Sequence, residues 1–228
     1  MFPKGLIVSC QALEGNPFRN SEGLAMMAES AVLGGASAIR ANGVMDITAM
    51  RKRITAPIIG INKRKDSTGR TVITPTFNDS MEVIKAGANI IALDATEYNS
   101  DIRENPYEHI RRLHEEAKVL VMADVSTAKE AYLADQAGVD AISTTLAGYI
   151  PGALHTESEK YVPNFEVLKE ILDMKLNCKV IAEGRFWRIE DIIKAFDMGI
   201  HGMVIGKAVT NPMAITKYFI SGIEGRIK

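Results

Sequence analysis

Eight short apolar runs, each followed by an amphipathic stretch, constrain the fold of this 228-residue chain more than any other feature. The runs are rich in Ile, Val, Leu, Met and Ala without strict alternation, which is typical of parallel strands buried on both faces. Eight strand–helix pairs in this length favour a closed (β/α)8 or TIM barrel, an α/β fold of about 250 residues. We therefore expect one barrel domain over residues 1–228, with strands at Gly5–Cys10, Ala36–Arg40, Pro57–Ile61, Asn89–Asp94, Val119–Asp124, Asp140–Thr144, Lys179–Ala182 and Gly202–Ile205.

Helical patterns separate these runs. Gly35 and Gly138 follow two of the patterns, as expected because glycine adopts the left-handed conformation that closes a helix. Three long polar loops, Gln11–Ser21, Lys63–Phe77 and Thr145–Asn164, follow strand ends that gather on one face of a barrel, where binding sites are built. The expected helices are Glu22–Leu33, Ile47–Arg53, Ser80–Ala86, Pro106–Ala117, Ala128–Gln136, Phe165–Met174, Ile189–Asp197 and Pro212–Ile223.

Composition argues against several classes of function. The formal net charge of −1 offers no electrostatic basis for binding nucleic acid or a membrane surface. No apolar run approaches the roughly 20 residues that span a bilayer, and the N-terminus lacks a signal-peptide pattern. Cys10 and Cys178 lie in or beside predicted buried strands, where reduced thiols are expected in a cytoplasmic protein. The four histidines are scattered, so we expect no metal site.

The last two predicted strands end in glycine and polar residues. Lys179–Arg185 reads Lys-Val-Ile-Ala-Glu-Gly-Arg, and Gly202–Thr210 reads Gly-Met-Val-Ile-Gly-Lys-Ala-Val-Thr. Paired loops of this kind hold phosphate in many (β/α)8 barrels, because glycine lets the backbone approach an anion and helix N-termini offer unpaired N–H groups. Glu183 lies beside this predicted phosphate site, where a carboxylate is unwelcome, and its position suggests catalysis.

Polar side chains follow the other predicted strands as well. Taken singly, each is typical of a solvated loop or a helix cap. The strand ends converge on one rim of a barrel, however, so that many polar residues there together indicate a functional site. These strand-exit residues are Gln11, Arg40, Lys63, Asp94, Asp124, Thr144, Thr145, Glu183, Gly184, Arg185 and Gly206.

Several motifs together carry a family resemblance that covers nearly the whole chain. They are Ile7–Leu13, Ala38–Ala41, Ile59–Arg64, Ile73–Thr76, Ile91–Thr96, Met122–Thr127, Ser143–Tyr149 and Ile181–Arg185. In this combination the chain resembles the N-acetylmannosamine-6-phosphate 2-epimerase family. The resemblance implies a (β/α)8 fold and inversion of C2 of N-acetylmannosamine 6-phosphate to give N-acetylglucosamine 6-phosphate, within bacterial sialic acid breakdown.

The resemblance also implies that Lys63 and Glu183 move the C2 proton. In the open-chain sugar this proton lies α to the C1 aldehyde, which acidifies it, so no cofactor is expected. Inversion is favoured by one group on each face, where one removes the proton and the other returns it. Burial, or a nearby cation such as Arg40 or Arg64, would lower the pKa of Lys63, and burial would raise the pKa of Glu183. Which group is the base in each direction stays open.

The other expected site residues follow from donor and acceptor type and from the resemblance. Arg40 can also stabilise a developing enolate oxygen, whereas Asp124 accepts from a sugar hydroxyl or orients Lys63. A structural carboxylate at Asp124, a turn at Tyr149 and a solvated Lys207 are the alternatives. The expected substrate-binding residues are Gln11, Arg40, Asp124, Thr145 and Tyr149, and the expected phosphate-binding residues are Gly184, Arg185, Gly206 and Lys207.

Two positions depart from the family pattern. Thr210-Asn211-Pro212 stands where the family often has Thr-Arg-Pro, so one phosphate-side cation is missing and Lys207 could replace it. Lys65-Asp66 stands where the family usually has an acidic or amide residue followed by an aromatic residue. In the family this loop covers the sugar, so the difference bears on recognition of the N-acetyl group. The Met-rich and aromatic stretch Met213–Ile223 packs either on the barrel or on a second subunit, which leaves a homodimer open.

Three other functions are compatible with parts of this pattern. A Schiff-base aldolase would use Lys63 as its nucleophile, and borohydride would trap that lysine in the presence of substrate. A related phosphosugar epimerase or isomerase would not need the acetamido group. A phosphosugar-binding barrel without catalysis would retain the phosphate loops alone, and the presence of both Lys63 and Glu183 argues against it.

Overall fold

Main-chain hydrogen bonds close a parallel sheet on itself in the computed structural model, which describes residues 1–149, 160–224 and 226. The described strands are β1 (Gly5–Cys10), β2 (Ala38–Asn42), β3 (Ile58–Ile61), β4 (Lys63–Lys65), β5 (Thr71–Ile73), β6 (Ile90–Asp94), β7 (Leu120–Asp124), β8 (Ala141–Ser143), β9 (Lys179–Glu183) and β10 (Gly202–Ile205). All but β4 and β5 belong to the barrel and follow one another around it in chain order. Closure occurs where Gly5 of β1 lies opposite Gly202 of β10.

Helices cover the outside of the barrel. Several start with a side chain that accepts from a free backbone N–H: Asn20 accepts from Gly23, and Thr127 forms a reciprocal capping box with Glu130. The helices are α1 (Ser21–Leu33), α2 (Val44–Arg51), α3 (Phe77–Lys85), α4 (Pro106–Arg112), α5 (Ala128–Gln136), α6 (Phe165–Asp173), α7 (Ile189–Asp197), α8 (Lys207–Thr210) and α9 (Pro212–Ile223). A π-helical turn at Leu113–Ala117 continues α4, and a 3-10 turn at Thr144–Leu146 follows β8.

Buried apolar side chains form two layers because successive residues of a strand point to opposite faces. The larger layer lies between strands and helices and includes Val8, Ile39 and Leu93. The smaller layer fills the barrel interior, so the barrel is a packed core rather than a pore. Its buried members are Phe2, Ile7, Ala38, Ile59, Ile61, Ile73, Ile90, Ala92, Met122, Ala141, Ile181 and Val204.

The predicted (β/α)8 barrel is confirmed. Each of the eight expected strands overlaps an observed barrel strand, with ends that differ by at most two residues. The helix starts are less accurate: α2 begins at Val44 instead of Ile47, and α3 begins at Phe77 instead of Ser80. The short helix α8 was not expected, because four residues are too few to show a helical period.

The long polar loop predicted over Lys63–Phe77 contains a hairpin that was not predicted: β4 and β5 pair antiparallel there, with Lys63 opposite Ile73. Asp66 organises the turn of this hairpin: its Oδ1 accepts from the backbone N–H of Thr68 at 3.0 Å and of Arg70 at 2.9 Å. The Lys-Arg-Lys sequence of β4 has no apolar alternation, so periodicity could not reveal this strand. In the predicted loop Thr145–Asn164, residues 150–159 lie outside the described residues.

Within the described part of the chain, none of the helices combines the length and apolar character needed to cross a bilayer.

Gly60 in β3 provides a test of the barrel packing. A Cβ at this position would lie 2.5 Å from the Cβ of Ala88, with Ile47 and Val83 side-chain atoms at 3.3 Å. We expect Gly60→Ala to lower the free energy of unfolding by about 1–3 kcal/mol, since the surrounding core must shift. Gly222→Ala in α9 is the matched control, because a Cβ there meets nothing within 4 Å. Urea unfolding of both variants measures the difference; equal stabilities would contradict the packing described for β3.

Candidate active site

The inward-facing positions of the barrel strands change from apolar to polar at the C-terminal rim. Two residues after Ile7, Ala38 and Ile61 come Ser9, Arg40 and Lys63, respectively. Because strand side chains alternate with a period of two, these polar residues continue the inner layer upward into the mouth of the barrel. Four further inner-layer residues, Ala92, Met122, Ala141 and Ile181, are each followed two positions later by a polar residue. These polar residues are Asp94, Asp124, Ser143 and Glu183.

Arg40 joins two carboxylates from distant strands. Its side chain is 1% exposed, and both of its terminal nitrogens donate to the carboxylate of Asp124, which is 0% exposed. The Arg40 Nη1 also donates to Oε2 of Glu183 and contacts Thr145 Oγ1 at 3.1 Å. Burial opposes the charge of the guanidinium, but the two carboxylates outweigh burial and hold the pKa of Arg40 above its usual value.

Glu183 is the most solvent-exposed of the three charged residues in this network. It is the last residue of β9, and its side chain is 17% exposed, whereas those of Arg40 and Asp124 are closed to solvent. Its Oε2 lies at hydrogen-bond distance, 2.9 Å, from Thr145 Oγ1 and 3.4 Å from Ser143 Oγ. Burial raises the pKa of the Glu183 carboxyl, and the neighbouring Asp124 charge acts in the same direction against the opposing effect of Arg40. Glu183 is therefore a carboxyl group that holds a proton more tightly than an ordinary glutamate does.

Lys63 lies on the other side of the barrel mouth. Its Nζ donates to Oε1 of Gln11 at 2.7 Å, and its backbone N–H donates to Oδ1 of Asn42 at 2.9 Å. Burial lowers the pKa of Lys63 to about 8, and the Arg40 charge adds to that effect. A minor fraction of Lys63, far larger than for an ordinary lysine, is therefore neutral near neutral pH and able to accept a proton.

The hairpin that carries Lys63 is anchored to the barrel at two points. At its base, Thr74 Oγ1 donates to the carbonyl of Ala92 in β6 at 2.6 Å. Near its turn, Arg70 donates to the buried carboxylate of Asp94 at 3.0 Å, and Arg103 donates to the same carboxylate at 2.7 Å. The fixed hairpin limits where the Lys63 amine can lie.

On the opposite side of the mouth, the loops after β8 and β9 contact each other through Arg185. Gly184 has φ +112° and Arg185 has φ +62°, so the chain turns sharply after Glu183. Arg185 Nε donates to the carbonyl of Val162 at 2.9 Å and Nη2 to that of Ala147 at 3.1 Å. The guanidinium also lies 5.3 Å from the centre of the Tyr149 ring.

The positions that depart from the family pattern have local structural roles. Asn211 caps α9, since its Oδ1 accepts from the backbone N–H of Ala214 at 3.0 Å. Asp66 organises the hairpin turn, and Lys65 Nζ donates to the carbonyl of Gly69 at 2.9 Å in that same turn. Gly206 immediately precedes α8, and the exposed Lys207 is the first residue of that helix.

The structure brings most of the expected residues together at the barrel mouth. They form two sets of contacts. Lys63 is bonded to Gln11, and Arg40 is bonded to Asp124, Glu183 and Thr145. Asp124 is paired with Arg40 and not with Lys63, whose amine is bonded to Gln11. In the described ranges, no group of three or more His, Cys, Asp and Glu residues is arranged to hold a metal ion.

Sequence reasoning missed several residues of this site. Each of them contacts a residue that was expected. Ser9 contacts Gln11, and Ser143 lies beside Glu183. Asn42 accepts from the backbone of Lys63, and Arg70 and Arg103 pair with Asp94. The signal available for Ser9 and Ser143 was their spacing of two from the inward apolar residues Ile7 and Ala141. No comparable signal existed for Arg70 and Arg103, which lie in loops.

Chemically, the mouth combines an amine of lowered pKa with a carboxyl of raised pKa. Lys63 and Glu183 lie at the same barrel mouth, and the charge of each affects the pKa of the other. Such a pair can remove a proton from one face of a carbon atom and return a proton to the other face.

Comparison with known proteins gives a consistent result. A family model described as "Putative N-acetylmannosamine-6-phosphate epimerase" matches residues 24–225. A protein of Caldanaerobacter subterraneus subsp. tengcongensis, named "Putative N-acetylmannosamine-6-phosphate 2-epimerase", is 43% identical over 97% of this chain and 92% of its own length. A protein of Clostridioides difficile with the same name is 43% identical over 96% of each chain.

Solved structures extend the comparison to three dimensions. A thiamine phosphate pyrophosphorylase from Pyrococcus furiosus, at 15% identity and a TM-score of 0.58, shares the fold alone. The N-acetylmannosamine-6-phosphate 2-epimerase of Clostridium perfringens is 40% identical and has a TM-score of 0.87, covering 95% of this chain and 92% of that chain. The chain therefore belongs to the N-acetylmannosamine-6-phosphate 2-epimerase family.

Proposed function

We propose that this chain converts N-acetylmannosamine 6-phosphate into N-acetylglucosamine 6-phosphate by inverting C2, a step of sialic acid and amino sugar breakdown. Family membership supports the reaction and the substrate. The observation that carries the mechanism is the pair at the barrel mouth, where Lys63 has a lowered pKa and Glu183 a raised pKa. We place the reaction in the cytoplasm, where the free thiols Cys10 and Cys178 stay reduced.

The reaction needs two proton transfers on opposite faces of C2. In the open-chain sugar, the base removes the C2 proton and the electron pair moves towards the C1 aldehyde, which gives an enolate. The second group then donates a proton to the other face of C2, which restores the aldehyde with inverted configuration. Lys63 and Glu183 fill these two roles, and each serves as base in one direction and as acid in the other.

Binding of the sugar phosphate follows the two sides of the barrel mouth. We assign the phosphate to Gly184, Arg185, Gly206 and Lys207, which lie in neighbouring loops after β9 and β10. Gln11, Thr145 and Tyr149 would contact the sugar. The burial of Arg40 and Asp124 favours a position beneath the sugar, from which they act through Glu183.

We also propose that the protein is a homodimer that buries α9. None of the twelve residues of α9 is buried, although the helix is apolar, with Phe219 65% exposed and Ile220 53% exposed. We expect light scattering to give twice the chain mass and Phe219→Glu to give one chain mass. Tyr132→Glu on α5 is a control for an exposed aromatic elsewhere. A monomeric parent protein would contradict the dimer.

The first experiment is proton NMR of N-acetylmannosamine 6-phosphate with the purified protein in D2O. We expect the C2 proton signal to disappear while the gluco epimer forms, because the returned proton comes from solvent-exchanged groups. Lys63→Ala and Glu183→Gln should each slow epimerisation by at least about 10²-fold, as loss of an acid–base group does. Lys65→Ala, on the same hairpin with an exposed amine, should retain activity.

Other outcomes of that experiment identify the alternatives. Cleavage of the sugar with borohydride trapping at Lys63 would replace the proposal by a Schiff-base aldolase. Turnover of sugar phosphates lacking the acetamido group, without turnover of the named substrate, would indicate a different epimerase. N-acetylmannosamine without its phosphate should turn over poorly, since the phosphate loops would have no ligand.

The lowered pKa of Lys63 predicts an alkaline limit to activity. The two active forms, neutral Lys63 with protonated Glu183 and charged Lys63 with ionised Glu183, hold the same number of protons. Loss of that shared proton inactivates both directions, so kcat/KM should fall about tenfold per pH unit above pH 8 in either direction. Measuring kcat/KM from pH 6 to 10 tests this; a plateau extending to the usual lysine range would contradict it.

A further inference from the structure

The hydroxyl of Thr145 lies between two carboxyl groups. Its Oγ1 is 2.5 Å from Asp124 Oδ1 and 2.9 Å from Glu183 Oε2. Thr145 is the middle residue of the 3-10 turn Thr144–Leu146, which directly follows β8. Both distances are hydrogen-bond distances, so each contact requires a hydrogen atom between its two oxygens.

The two carboxyl contacts of Thr145 need two hydrogen atoms. The other neighbours of its Oγ1, Arg40 Nη1 at 3.1 Å and Ser143 Oγ at 2.9 Å, carry hydrogens of their own. Thr145 has a single hydroxyl hydrogen and can donate to only one of the two carboxyl groups. Both oxygens of Asp124 already accept from Arg40. The remaining contact is filled when Glu183 holds a proton on Oε2 and donates it to Thr145, while Thr145 donates to Asp124.

We propose that Thr145 is a switching hydrogen-bond donor that follows the protonation state of Glu183. While Glu183 is protonated, Thr145 donates to Asp124. When Glu183 has passed its proton to C2 of the substrate, the Thr145 hydroxyl rotates about its C–O bond and donates to the new carboxylate. No covalent bond of Thr145 breaks, and the proton that reaches C2 comes from Glu183. Thr145 is thus a positioning residue, and this inference rests on the acid–base role proposed for Glu183.

The switch has a consequence for the pH dependence of the free protein. The charged groups that face Glu183 are Arg40 from β2, Asp124 from β7 and Lys63 from β4, and the hydroxyls beside it are those of Ser143 and Thr145. With Glu183 protonated, Thr145 bonds both carboxyl groups, whereas with Glu183 ionised it donates to Glu183 alone. Removing the hydroxyl therefore costs the protonated form one more hydrogen bond, so the pKa of Glu183 should fall. A role of Thr145 in packing alone would lower the rate without moving this pKa.

Thr145→Val tests the switch because it keeps the β-branched shape and removes the hydroxyl. We expect the acid limb of kcat/KM to move down by up to about one pH unit, the effect of losing one neutral hydrogen bond from the protonated form. Thr145→Ser should restore the parent limb. Thr144→Val is the matched control: Thr144 Oγ1 bonds the backbone of Glu183 at 2.9 and 3.0 Å and not its carboxyl. The substrate phosphate titrates identically in every variant.

Infrared spectroscopy of the substrate-free protein provides a readout that does not depend on turnover. The carboxylic-acid C=O band that disappears in Glu183→Gln should titrate at a lower pH in Thr145→Val than in the parent. An unchanged titration in Thr145→Val would overturn the switch, and so would a shift to higher pH, which loss of a fixed donor to Glu183 would give. If the parent protein fails to epimerise, the proposed function is wrong, whereas the infrared titration still decides the role of Thr145.

Discussion

The pairing of buried Arg40 with Asp124 and Glu183 is the interaction on which the rest of the site depends. Ions lose several kcal/mol of hydration on burial, so a buried guanidinium must be matched by closely placed acceptors. Asp124 supplies both of its oxygens, which leaves Glu183 only part of the Arg40 charge. Burial raises the pKa of Glu183 against the opposing effect of Arg40, whereas burial and Arg40 together lower the pKa of Lys63. Burial thus shifts the two pKa values in opposite directions, and the Arg40 charge lowers both.

Barrel geometry explains how residues so far apart in the chain reach one another. Arg40 and Glu183 are 143 positions apart, yet the strands that carry them end at the same rim, where inward side chains converge. The inner face is apolar below and polar above, so the packed core supports the network and keeps water from its base. Lys63 reaches the mouth by a different route, on a hairpin held by Thr74 and by the Arg70–Asp94–Arg103 cluster. Proton transfer at one carbon requires this rigidity, because small displacements of either group weaken it.

Much of the fold and several site residues could be predicted because their signals are local. Apolar runs of four to six residues mark buried strands, and glycine marks helix ends, so the barrel and the family resemblance followed directly from the chain. Gln11, Lys63 and Glu183 could be singled out because they come directly after such runs. The β4–β5 hairpin could not, since Lys63–Lys65 carries no apolar period and its pairing depends on the Asp66 turn and on Asp94. The contacts of Arg185 with Ala147 and Val162 join two loops and were equally inaccessible.

The sequence by itself determined the number and order of the strands, the family, and the set of polar residues at the strand ends. These depend on spacing along the chain, which hydrophobic burial converts into strands and helices. Only the tertiary structure decided which of those residues touch. It placed Asp124 with Arg40 instead of Lys63, gave Lys63 the amide of Gln11 as its partner, and set Thr145 between two carboxyl groups. Proton affinities depend on burial and on distances of a few ångströms between charges, and these quantities exist only once the barrel has closed.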